Sequence, residues 1–100
     1  MTSPTSIRAR DKEHLKQLIK EHIDLHGTTC DLNHIDVSDV SDMSALFAYT
    51  DFNGDISQWD VSNVQDMSFM FNLSSFNGNI SEWNTSSLKN MHGMFSNSDF

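Results

Sequence analysis

Apolar positions recur along residues 32 to 100 with a period of 24. Leu32/Ile56/Ile80, Ile35/Trp59/Trp83, Val40/Val64/Leu88, Met43/Met67/Met91, Leu46/Met70/Met94, Phe47/Phe71/Phe95 and Phe52/Phe76/Phe100 form columns that are apolar in every copy, separated by Asp, Asn and Ser. A fixed period of this length marks units that cannot bury an apolar face alone and must stack on their neighbours. The stretch from Ile56 to Trp59 is short and bounded by turn residues, which predicts a short strand there and at Ile80 to Trp83. Ser62 with Gln65 three residues on has capping-box spacing, and Val64, Met67 and Phe71 follow at helical intervals, which predicts a short helix of one to two turns. Asn53-Gly54 and Asn77-Gly78 predict tight turns with a positive φ.

Ahead of the repeats the period changes. Leu15, Leu18, Ile19 and Ile23 share one face while Lys12, Lys16 and Lys20 occupy another, with Asp11 placed to cap the start and Gly27 to end it. This predicts one amphipathic helix, positioned to cover the open end of the first unit. The expected fold class is α+β: a short repeat solenoid of three strand/short-helix units, capped by that helix. The expected divisions are a disordered start at 1–10, a helical cap at 11–31, and three units at 32–55, 56–79 and 80–100.

The unit "FNGDISQWDVSNVQDMSFMF" resembles the BspA-type leucine-rich-like repeat of bacterial surface proteins, also known as the mycoplasma lipoprotein repeat. That family's pattern is F-N-G-D-I-S-x-W-D-V-S-N-V-x-D-M-x-x-M-F, and the resemblance covers residues 32 to 100. It implies a stack used for binding and implies no chemistry.

Charge adds a second layer. The net charge is −8, and five of the six basic residues (Arg8, Arg10, Lys12, Lys16, Lys20) precede residue 21. Eight aspartates lie between Asp31 and Asp66 with no basic residue among them. Such a field repels nucleic acid and anionic membrane and attracts basic partners. The columns Asp36/Asp60/Asn84, Asp42/Asp66/Asn90 and Asp39/Asn63/Ser87 lose charge toward the C-terminus. Two readings of them stand side by side: local capping through side-chain oxygens, which tolerates Asp-to-Asn exchange, and an acidic binding face made of Asp36, Asp39, Asp42, Asp60 and Asp66. Trp59 and Trp83 are either core residues or exposed anchors for a partner. An uncapped end at Phe95 and Phe100 points to end-to-end pairing of two copies.

Chemistry of other kinds finds little footing. Cys30 is the single cysteine, read as a small core hydrophobe. His22 and His26 sit four apart, but Ile23 stands where a zinc-protease motif needs Glu. Asp51, Asn53 and Asp55 alternate like a calcium loop, yet Gly54 is misplaced and Ser62 stands where the bidentate Glu belongs. No cofactor is expected, and no acid–base cluster suggests an enzyme. The start of the chain holds no apolar run of signal-peptide length, so the expected location is cytoplasmic.

The functional expectation is therefore a non-enzymatic protein-binding module. Its first form is an acidic inhibitor docking on a basic, nucleic-acid-handling protein. In size and charge alone this resembles phage-encoded inhibitors of DNA-handling machinery such as CRISPR complexes. Its alternative form is a fragment of a bacterial surface or adhesion repeat protein.

Overall fold

The computed structural model describes residues 7–98. The disorder expected of residues 1 to 6 and the role expected of Phe100 lie outside the described residues. Element order is β1 (Ile7–Arg8), α1 (Lys12–His26) and β2 (Ile35–Asp36). The two strands pair in parallel, Ile7 opposite Ile35 and Arg8 opposite Asp36. Residues 7 to 10, expected to belong to a disordered start, are thus built into the fold, and Ala9 beside them is fully buried.

Helix α1 follows its local signals. The Asp11 carboxylate accepts from the His14 amide at 2.8 Å, and the Gly27 amide closes the last turn on the Ile23 carbonyl at 2.8 Å with Gly27 at φ 89°. Leu15, Leu18 and Ile19 are buried in one core cluster with Leu32, Ile35 and Leu46 of the first copy. Lys12 reaches Ser44 Oγ at 3.0 Å, and His22 Nε2 lies 2.8 Å from His34 Nε2.

The solenoid of three strand/short-helix units does not form. Among the described residues there is one helix and one two-stranded parallel sheet, a small mixed α/β arrangement, and the rest of the chain is turns joined by isolated bridges. The physical reason for the missing strands lies in the aspartates. The Asp55 carboxylate accepts both the amide (2.9 Å) and the hydroxyl (2.7 Å) of Ser57, and the Trp59 amide then closes a turn on the Ile56 carbonyl at 3.2 Å. A strand would send these amides sideways to a neighbour; here the Asp55 side chain takes the first and the Ile56 carbonyl the second. Trp83 closes the same turn on Ile80 at 3.2 Å.

The missing short helix has a different cause. A helix directs every amide along its axis to the carbonyl four residues back. Here the amides of Met67, Phe69, Phe71 and Leu73 donate instead to the carbonyls of Asn90, His92, Met94 and Ser96, at 2.8 to 2.9 Å. Only the intervening amides stay local, Met70 on Met67 and Asn72 on Phe69. The segment from Met43 to Tyr49 repeats this pattern onto Asp66, Ser68, Met70 and Asn72. Left-handed residues recur with it: Ala45, Phe69 and Gly93 in one column, Tyr49, Leu73 and Asn97 in another.

The apolar columns supply the core. Phe47, Phe71 and Phe95 lie ring over ring at 5.7 and 5.6 Å, within 4° of parallel, and Phe52 lies over Phe76 at 6.1 Å. Phe47, Phe52, Phe71 and Phe76 are each at most 1% exposed. Stacked aromatic pairs contribute roughly 0.5–1.5 kcal/mol beyond their burial. Gly54 does not take the positive φ expected of it. It is required because any side chain there would collide with the Cys30 carbonyl. Gly78 has the Phe76 ring in the same place, 2.7 Å from where a Cβ would stand.

Candidate protein-binding surface

The five aspartates expected to form an acidic face are all engaged within the chain. Asp36 accepts from Ser38 (amide 2.9 Å, hydroxyl 2.6 Å), Asp60 from Ser62 (3.1 and 2.6 Å), and Asp42 and Asp66 from the amides of Ser44 and Ser68, each at 2.8 Å. Asp39 forms an ion pair with Arg8 of β1 at 2.7 Å, and Asp42 lies 3.4 Å from Lys12 of α1. Both pairs are solvent-accessible and so contribute little energy individually. Their effect is positional, since they tie β1 and α1 to the first copy.

The capping pattern extends to a column that the sequence reading overlooked. Asp31, Asp55 and Asn79 accept from the amides two residues on, as do Asn84 and Asn90 of the third copy. An acid or amide followed two residues later by Ser, Asn or His is the signal that would have found it. Because the turn needs an oxygen and not a charge, Asn replaces Asp in the third copy without altering the geometry.

These bonds hold the carboxyls ionised. Hydroxyl and amide donation from Ser38 and Ser62 lowers Asp36 and Asp60 below the ordinary 3.8, and the Ser57 amide, with Asn33, does so for Asp55. At Asp42 burial pushes upward, but Ser44 and Lys12 together outweigh it. The Asp39 carboxylate raises Arg8 in turn.

Trp59 is not an exposed anchor. It is 3% exposed, packs against Phe47 with ring centroids 5.9 Å apart, and donates its indole N–H to the Leu32 carbonyl at 2.8 Å. Trp83 is half-buried and donates to Ile56 at 3.0 Å. Phe95 is half-buried beneath the Phe71 ring. Cys30 packs at the core's edge, where burial raises its thiol pKa and favours the unreactive form. His22 and His34 meet across α1 and the first copy, a contact invisible in their spacing. No cluster of three or more metal-ligating side chains occurs among the described residues, and no helix there is long and apolar enough to cross a membrane.

What sequence reasoning missed is an exposed apolar set. Tyr49 is 74% exposed, Leu73 48% and Phe69 41%. All three occupy left-handed positions, with φ of 59°, 53° and 55°. An L-residue there costs roughly 1–2 kcal/mol, and bulky side chains at positive φ are uncommon. In the third copy the same columns hold Gly93 and Asn97, which adopt that conformation cheaply. Phe69 is partly accounted for by its edge contact with His92 at 5.4 Å and by lying over Gly93, where a Cβ would stand 2.5 Å from the ring. Tyr49 and Leu73 have no comparable internal role.

Comparison with known proteins places this arrangement in a family. No curated protein and no solved structure matches the chain. The model of a family described as "Mycoplasma protein of unknown function, DUF285" matches residues 14–100. That match takes in most of α1 and the repeated sequence after it, and the chain therefore belongs to this mycoplasma protein family.

Proposed function

We propose that the chain is a three-copy BspA-type repeat segment of a bacterial surface or adhesion protein, and that it binds proteins of a host or neighbouring cell without catalysing a reaction. The observation that carries this reading is the pair Tyr49 and Leu73. Both are exposed, apolar and held at equivalent left-handed positions of successive copies. Strain with no return inside the fold is repaid where a partner buries the side chain. The surrounding capped turns keep the backbone rigid, so little ordering entropy is lost on association. The family match supports the surface-repeat form of the module. The inhibitor form rests on the acidic charge of the first two copies, part of which the ion pairs of Asp39 with Arg8 and Asp42 with Lys12 offset.

The test is adhesion of beads carrying the full chain to cultured animal cells, before and after trypsin treatment of the cells. Wild-type beads should adhere in a trypsin-sensitive way, and the double variant Tyr49→Asn/Leu73→Asn should lose at least tenfold of that adhesion. Equal adhesion by the variant, adhesion that survives trypsin, or no adhesion by wild type overturns the reading.

A further inference from the structure

A groove runs between α1 and the first copy. Its floor is apolar: Ile19 and Leu46, each 6% exposed, and the half-buried Ile23, one turn beyond Ile19 on the same face of the helix. The seam between the two stays open over about 790 Å³. Concave apolar spaces of this size, with a few polar groups on the rim, are where proteins hold small molecules.

The charges on the rim differ in how they are used. Lys12, Lys16 and Lys20 stand four apart along α1, a spacing at which like charges repel. Lys12 is neutralised by Asp42 at 3.4 Å and Lys20 by Asp24 at 2.8 Å. Lys16 is exposed at the edge of the groove, and its ammonium has no hydrogen bond or ion pair among the described residues. The Arg10 side chain, on the same rim, is equally unpartnered there. Of the two acids on the rim, Asp11 is committed to the His14 amide, and Glu13 pairs with neither cation. Two unpartnered cations against one unpartnered acid leave the rim one positive charge in excess.

We propose that this groove binds a small amphiphile with one carboxylate head and an unbranched alkyl body. The head lies beside Lys16, and the body runs along Ile19, Ile23 and Leu46. Covering the apolar floor drives binding, and the excess positive charge selects a carboxylate over an alcohol or an amine. From Lys16 to Ile23 the helix advances roughly 10 Å at about 1.5 Å per residue, the reach of an octyl chain. Polyanions fit poorly, because the chain carries a net charge of −8. A bilayer fits poorly too, because Leu15, Leu18 and Ile19 of α1 are already buried in the fold and offer lipid no apolar face.

Tyr49 and Leu73 take no part in this site, and the test leaves both in place. The probe is octanoate, titrated into the full chain while the methyl signals of Ile19, Ile23 and Leu46 are followed by NMR. Those signals should shift saturably, while the methyls of Val64, buried in the second copy, stay still. Octanol should bind about threefold more weakly, the scale of one exposed ion pair, and octylamine about tenfold more weakly because it turns attraction into repulsion. Lys16→Gln should weaken octanoate about threefold, and Lys16→Arg should restore it. Lys16 is exposed, so both variants should fold. No saturable shift at the groove, equal binding of the three probes, or indifference to Lys16→Gln overturns the proposal. So do contacts from residues 1–6 to these methyls in the free chain, or a dimer that octanoate dissolves, each of which would make the chain itself the occupant.

Discussion

The indole nitrogen of Trp59 donates to the backbone carbonyl of Leu32, one copy earlier, at 2.8 Å, and Trp83 repeats the bond onto Ile56 at 3.0 Å. In its two Trp members the Ile35/Trp59/Trp83 column is thus a polar tie as much as an apolar filler. Trp59 makes its bond from a buried site, where a lost partner is not replaced by water.

Trp59→Phe should therefore cost about 2 kcal/mol, combining the lost hydrogen bond with the smaller ring. Trp83→Phe should cost less than about 1 kcal/mol, since that ring is only half-buried. Urea denaturation of both variants measures the ordering. Equal costs would mean that burial does not decide the value of the bond.

Asp60 separates charge from capping. Asp60→Asn keeps an oxygen for the Ser62 amide, as Asn84 does for Ser86, and should shift stability by less than about 0.5 kcal/mol. Asp60→Ala removes the acceptor and should cost about 1 kcal/mol, the usual value of a lost cap. Thermal unfolding of the two variants distinguishes a turn brace from a charged site.

The same carboxylates set a pH dependence. Asp36, Asp55 and Asp60 titrate below 3.8 in the folded chain. A carboxyl with a lowered folded pKa contributes stability that is present above its unfolded pKa and lost as pH falls through the folded one. Stability should hold from neutral pH down to about 4 and then decline. In the triple variant Asp36→Asn/Asp55→Asn/Asp60→Asn that decline should be shallower. Denaturant midpoints at pH 7, 5 and 3 give the slopes, and identical slopes would refute the assignment.

Tyr49 tests the strain. Tyr49→Asn places a residue tolerant of positive φ where the side chain is mostly in solvent, and should raise stability by roughly 0.5–1 kcal/mol. A loss of stability, read from the denaturation midpoint, would show that the ring has a structural role.

By itself, the sequence determined the 24-residue period, the columns that are buried in the first two copies, and the helix with its Asp11 and Gly27 ends. Burial follows from apolar identity, and caps from a few adjacent residues, so both are local or periodic properties. The backbone path within each copy was decided only in the folded molecule. The short stretch from Ile56 to Trp59 and the helical spacing from Val64 to Phe71 are compatible with strand and helix. Neither forms, because Asp55 takes the Ser57 amide and Ile56 that of Trp59, and because Met67, Phe69, Phe71 and Leu73 give theirs to the next copy. The exposure of Tyr49 and Leu73 likewise depends on a left-handed backbone imposed by that pairing. The meeting of His22 with His34 required α1 to fold back on the first copy. Such contacts between distant residues carry no local signature, since only the closed chain brings donor and acceptor together.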